Sequence, residues 1–202
     1  GVFDPEKIRA TVTTALRMLD NVIDLNFYPT VEARNSNMKH RPVGLGIMGF
    51  QDALYMLNIP FGSEECVEFS DASMELISYH VILASTALAR ERGAYQSYKG
   101  SKWDRGLLPQ DTIRLLEEER GIATSVEPTE RLDWSVVRDA VKQYGMRNSN
   151  TMAIAPTATI SNIIGSIPGN EPIYKHIYVK SNIPGDFIVI NSFLAEDLKK
   201  TG

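Results

Sequence analysis

The sequence predicts an α/β fold made mostly of helices. Three observations carry this reading. Long stretches repeat apolar residues at helical spacing. Two short runs, near 42–49 and 151–155, are apolar on both parities, as strands buried on both faces are. Helices, not tight turns, lie between those two runs, which points to a parallel sheet or barrel. Two strands so far apart in sequence do not complete a sheet, so the chain is expected to be part of a larger fold.

The elements follow in order. Asp4 is a good N-cap and Pro5 a good first helical residue. Ile8, Val12, Ala15, Leu16, Leu19 and Ile23 then recur at helical spacing to about Leu25. Residues 29–42 read as a polar connection. Pro42 to Gly49 suits a strand, and its Gly44-x-Gly46-x-x-Gly49 spacing superficially matches a dinucleotide fingerprint. No acidic residue closes a second strand at the required distance, so the glycines are read as close backbone approach or a bend. Phe50, Ala53, Leu54 and Leu57 start a short helix that ends near Asn58-Ile59-Pro60. Ser63 opens the longest helix, to about Arg92, with Val67, Ser70, Met74, Ile77, Val81, Ala84 and Leu88 on one face and Gly93 beyond its end.

Residues 93–108 are irregular. A charged helix follows from Pro109 to Gly121, then an exposed loop over 122–132, and Asp133 caps a helix ending at Tyr144-Gly145. After the second strand come a short helix and a turn over 166–172. Strands are expected at 173–180 and 187–190, and Asn191 caps a final helix.

Bulk properties narrow the function. The 202 residues form one large domain or two small ones, and 43% apolar with 23% charged residues is ordinary for a soluble globular protein. A net charge of -4 with scattered basic residues argues against a broad nucleic-acid or anionic-membrane surface. One cysteine, Cys66, allows no internal disulfide and fits a reducing compartment. It lies in the first turn of a helix, but without a resolving partner it reads as a small buried apolar residue. His80 has no second ligand at i+4, so no metal site is expected there. No apolar run reaches the roughly 20 residues that span a bilayer, and no signal-peptide pattern opens the chain. The start at Gly1 and the helix-like end suggest a piece of something longer.

The stretch from Asn148 to Gly165 looks most like a place where chemistry is anchored. It reads as a strand, a Pro156-Thr157 corner and a hydroxyl-rich helix start. Free N–H groups and the macrodipole make such a start an anion site. The same residues also suit a plain N-cap at Thr157 and a turn at Pro156, and both readings stand on spacing alone.

Two longer patterns carry a resemblance. Residues Ala33 to Ala53, which include Arg34-Asn35-Ser36-Asn37-Met38 and the three glycines, are similar to a segment of the large subunit of ribonucleotide reductase. So is Met146-Arg147-Asn148-Ser149-Asn150 followed by Ala155-Pro156-Thr157-Ala158-Thr159-Ile160-Ser161. Ala89 to Ala94, Gly106 to Pro109 and Glu171 to Tyr174 fit in order. The resemblance covers essentially the whole chain, residues 1–202, as a single segment of the catalytic barrel.

It implies a helix-rich piece of a ten-stranded α/β barrel, incomplete in this chain. It implies thiyl-radical reduction of ribonucleotides to 2′-deoxyribonucleotides, with every catalytic cysteine and carboxylate outside this segment. Pro156, Thr157, Ala158, Thr159, Ile160 and Ser161 would hold the substrate diphosphate, with the hydroxyls of Thr157, Thr159 and Ser161 adding direct hydrogen bonds. The segment would bind no metal or other cofactor. The complete cytoplasmic enzyme would use ATP and dNTP effectors, a thioredoxin- or glutaredoxin-type reductant and a metal-radical small subunit, with large subunits paired as a homodimer and no nucleic-acid or membrane partner. The cobalamin-dependent class, which uses adenosylcobalamin instead, shares a similar loop. A non-catalytic helical interaction module is the third alternative.

Overall fold

A computed structural model describes residues 3–126, 129–182 and 185–201, without the side chains of Lys180 and Asn182. It contains helices α1 (Pro5–Leu25), α2 (Val31–His40), α3 (Phe50–Leu57), α4 (Glu64–Arg92), α5 (Asp111–Arg120), α6 (Trp134–Tyr144) and α7 (Ile160–Ile164). Strands β1 (Ile177–Asn182) and β2 (Gly185–Ile190) and helix α8 (Ser192–Thr201) complete it. The chain divides into two compact units, one holding Phe3–Gly46 and Glu68–Ile154, the other Ile47–Val67 and the residues from Ala155 onward.

In the first unit α4 is the spine. Val81, Ala84 and Leu88 pack with Val12 and Leu16 of α1. Ile82 turns the other way, into a cluster with Tyr95, Leu108, Trp134, Val137, Val141 and Met146. α4 is long and apolar enough to cross a bilayer by length and composition. Its two-sided packing here is that of a core helix. The N-terminal end of its expected face departs from the pattern, since Val67 is exposed.

The predicted connection at 29–42 is instead mostly helix α2. No apolar stripe announces it, because none of its residues is buried. It is set by its ends. The Thr30 hydroxyl accepts from the Ala33 N–H at 3.2 Å, Glu32 lies in the first turn, and Lys39 and His40 lie in the last.

Neither of the two expected strands forms as an element among the described residues, and the two runs meet only in an isolated parallel bridge between Leu45 and Met152. The Val43 N–H donates to Asn150, the Leu45 N–H to Thr151 and the Ala153 N–H to Leu45, at 3.0, 3.0 and 3.1 Å. Burial on both faces is not seen. Val43, Leu45 and Met152 pack on the α1–α4 core, but Gly44, Gly46 and Ala153 are exposed. Among the described residues no further strand pairs with them. Gly44 does mark a close approach, because a Cβ there would sit 2.9 Å from that of Ala153. The sheet proper is the antiparallel hairpin β1–β2, whose strands start later (β1) and earlier (β2) than predicted.

A buried polar network crosses the first unit. Asp20 is fully buried and accepts from Arg41 Nε at 2.9 Å, Asn148 Nδ2 at 3.1 Å, Arg92 Nη1 at 3.2 Å and Arg147 Nε at 3.3 Å. Arg41, 4% exposed, also forks onto Asp24 with two bonds of 2.8 Å. The Arg41 hydrogen bonds hold the Asp24 carboxyl below the usual carboxylate range. Asn148 joins Ser85 of α4 and the Arg41 carbonyl to the same cluster. Its backbone N–H also donates to the Ser85 hydroxyl.

A second buried carboxylate, Glu75, accepts the indole N–H of Trp134 at 3.0 Å and the backbone N–H groups of Arg131 and Leu132 at 2.7 and 3.1 Å. Burial pushes its pKa up, but these donors outweigh it and leave it below the ordinary value.

Two outcomes follow. Asp20→Ala removes the one carboxylate shared by Arg41, Arg92 and Arg147, leaves Arg41 only its Asp24 pairing, and costs about 3 kcal/mol. Hydrogen exchange on α1 peptides reads this as faster opening at constant pH. Glu75 contributes fully above the ordinary glutamate range, and its contribution is lost as pH falls through its depressed folded value. An acid titration of stability is therefore flatter for Glu75→Gln than for the parent. Identical slopes would show that Glu75 adds nothing to acid sensitivity.

Candidate functional site

The second unit builds the hydroxyl-rich loop. Gly49 is the N-cap of α3 at φ 79°, a conformation that costs glycine little. Its N–H donates to the Ile167 carbonyl at 2.8 Å, and the Ile167 N–H donates back to Asp52 Oδ2 at 2.8 Å. The Phe50 N–H reaches the Gly169 carbonyl at 3.3 Å. The turn at 166–169 is thus stitched to the start of α3.

From that turn, Gly169 donates its N–H to the Thr157 hydroxyl at 2.7 Å. Thr157 lies at φ 48°, a left-handed conformation that is strained for a β-branched residue. Gly169 is buried, and a Cβ there would lie 3.5 Å from the Ala155 carbonyl oxygen, so the two backbones pass close together. The corner at 155–157 is therefore fixed from outside the loop.

The loop then opens to solvent. Pro156, Ala158, Thr159 and Ile160 are exposed and Thr157 is half-buried. The N–H groups of Ala158, Thr159 and Ile160 have no hydrogen-bond partner among the described residues. Their neighbour, the Ser161 N–H, is already bonded to the Thr157 carbonyl at 3.0 Å. The Ala158 carbonyl accepts from Asn162 Nδ2 at 2.8 Å, which orients the Ala158 peptide. The arrangement offers adjacent backbone donors and one exposed hydroxyl, a donor set that suits an oxyanion.

The six predicted residues are contiguous in space, and their side chains are placed in different surroundings. The helix cap falls at Thr159 rather than Thr157, and no side chain closes it. The Thr157 oxygen is engaged by Gly169. Ser161 is fully buried, with its hydroxyl 3.5 Å from the Ala158 carbonyl, so it faces the protein and not the solvent. Thr159 keeps an outward hydroxyl. Sequence reasoning missed Asp52 and Gly169. An acidic residue at the third position of a helix signals only a cap, and nothing local tells that it serves a turn far along the chain.

Cys66 is buried at the start of α4, with its N–H on the Ser63 hydroxyl at 3.2 Å. Burial lowers the His80 pKa. Among the described residues no group of three or more His, Cys, Asp or Glu side chains is placed to hold a metal.

Fold and loop together define a class: a helix-rich α/β segment with a parallel strand contact and an exposed, donor-rich corner. The family model described as the ribonucleotide reductase barrel domain matches residues 1–202, and the chain belongs to that family. It is 59% identical over 200 residues to the ribonucleoside-diphosphate reductase subunit alpha of Chlamydia pneumoniae, covering 98% of this chain and 19% of that protein. The corresponding subunit of Chlamydia trachomatis is 60% identical over the same shares. The large subunit of Arabidopsis thaliana is 38% identical over 99% of this chain and 23% of its own length. The chain therefore spans about a fifth of the curated relatives it matches.

Thr157→Val removes the acceptor for the Gly169 N–H and keeps the strained backbone. In the complete subunit it frees the corner, and hydrogen exchange at Gly169 accelerates by roughly tenfold or more, the loss expected for about one to two kcal/mol. Unaltered exchange would show that the corner is held elsewhere.

Proposed function

We propose that this chain is the part of a ribonucleoside-diphosphate reductase large subunit that seats the diphosphate of the substrate. The carrying observation is the exposed run of N–H groups at Ala158, Thr159 and Ile160, without partners among the described residues, behind a fixed Thr157 corner. These donors sit on backbone that is already ordered, so little is lost when an anion arrives. The Thr159 hydroxyl adds one side-chain donor, and Pro156 restricts the entry to the corner.

In this reading the segment completes its barrel, ten-stranded in the family, with chain outside residues 1–202. Reduction at the ribose 2′ position runs through thiyl-radical chemistry on cysteines also outside it. The subunit works with a metal-radical small subunit, takes electrons from a thioredoxin- or glutaredoxin-type protein, answers to ATP and dNTP effectors, and acts as a cytoplasmic homodimer. The relatives' names, subunit alpha and large subunit of a diphosphate reductase, support a two-subunit enzyme over the adenosylcobalamin-dependent one. They likewise support an enzyme segment over a non-catalytic module. The segment on its own lacks the reacting groups and is inactive.

Thr159→Val tests the loop in the complete large subunit assayed with its partner. The lost hydrogen bond to a charged acceptor raises KM for the ribonucleoside diphosphate roughly tenfold, with kcat changed far less. An unchanged KM would remove Thr159 from the site.

A further inference from the structure

The geometry points to Asp52 as a positioning residue for the diphosphate loop, acting through the turn at 166–169. This rests on the reading of the 156–160 loop given above and adds to it the element that holds the loop in shape.

A side chain at the third position of a helix ordinarily folds back on its own N-cap N–H. Asp52 occupies that position in α3, and Gly49 is the N-cap. Both groups are spent elsewhere. The Gly49 N–H donates to the Ile167 carbonyl, and Asp52 Oδ2 accepts from the Ile167 N–H, each at 2.8 Å. One residue of a distant turn is thus gripped by both of its backbone polar groups. Two bonds, one on each peptide unit flanking Ile167, fix that residue's position and orientation, where a single bond leaves it free to pivot.

The grip is transmitted in two steps. The Phe50 N–H holds the Gly169 carbonyl at 3.3 Å, and the Gly169 N–H holds the Thr157 hydroxyl at 2.7 Å. Thr157 is the residue at φ 48°, and its carbonyl accepts the Ser161 N–H at 3.0 Å. A strained β-branched residue persists only when its surroundings over-determine it. The Asp52–Ile167–Gly169 relay supplies that constraint. It fixes the corner directly before the donors of Ala158, Thr159 and Ile160.

Gly49 has its own part. A Cβ there would lie 3.3 Å from Asp52 Oδ2 and 3.6 Å from the Ser166 Cβ, on backbone already at positive φ. Any side chain crowds the carboxylate it must leave free. The third glycine of the Gly44-x-Gly46-x-x-Gly49 pattern thus serves the grip on the turn and not a bound dinucleotide.

The test uses the complete large subunit with its small subunit and effector, and measures binding of a ribonucleoside diphosphate and of the matching monophosphate. Asp52→Ala weakens the diphosphate roughly tenfold while the monophosphate changes much less, so the preference between them collapses. Asp52→Asn, whose carboxamide oxygen still accepts the Ile167 N–H, restores most of that preference. Equal losses for both ligands, or no rescue by Asp52→Asn, would mark a general structural role and overturn the inference. Thr159→Val separates the two proposals. If it weakens diphosphate binding while Asp52→Ala does not, the loop binds the anion but Asp52 does not position it. If neither variant affects binding, the loop reading and this inference fall together.

Discussion

The Asp20 carboxylate is the constraint on which the first unit depends. It is fully buried, and it meets Arg41, Arg92, Arg147 and Asn148 at once. Burying that much charge is expensive, and a well-packed apolar cluster of the same volume often matches it in stability. What an apolar cluster lacks is direction. Each donor here meets one oxygen at one angle, so α1, the C-terminal end of α4, residue 41 and residues 147–148 take a single relative placement. The parallel contact between 43–45 and 150–153 leaves both segments close to this anchor. Strand placement is therefore set by a polar cluster at the strand ends as much as by apolar packing along them.

This changes how the signature residues are understood. Arg41, Arg147 and Asn148 belong to the patterns that carry the family resemblance, and such polar patterns invite a catalytic reading. In the folded chain their polar atoms are turned on one another. Asn148 uses its side-chain amide on Asp20 and the Arg41 carbonyl and its oxygen on Ser85. Exposed backbone N–H groups without a partner among the described residues lie on the plainer ones that follow, Ala158, Thr159 and Ile160. The residues that hold the cluster and the residues with exposed backbone donors thus occupy adjacent stretches of one pattern.

Much of the fold was legible because it follows from local rules. The caps at Asp4, Asp133 and Asn191 form as expected, with their side chains accepting from Lys7, Ser135 and Leu194. The α1 stripe buries Val12, Leu16 and Ile23. Helix α2 escaped because periodicity sees only helices that bury a face. Two-sided burial of the 42–49 and 151–155 runs was inferred from composition, yet composition does not say whether a covering strand is present. The pattern drew attention to the six loop residues, but how their hydroxyls are placed depends on Gly169 and on a positive φ at Thr157. Those depend in turn on a turn held by Asp52, a long-range contact with no trace in local sequence.

The β1–β2 hairpin has a consequence in time. Its register is complete from Ile177 opposite Ile190 to Asn182 opposite Gly185, but Ile177, Val179, Phe187, Ile188 and Ile190 remain exposed. A two-stranded hairpin is marginally stable at best in water, and an uncovered apolar edge accepts any strand that reaches it. Such a hairpin forms within microseconds, far faster than residues are added during synthesis. The hairpin is therefore populated early but only marginally, with its apolar side chains open to any strand that reaches them. The tendency of this segment to self-associate is thus a quantity that the stability of the finished protein does not report.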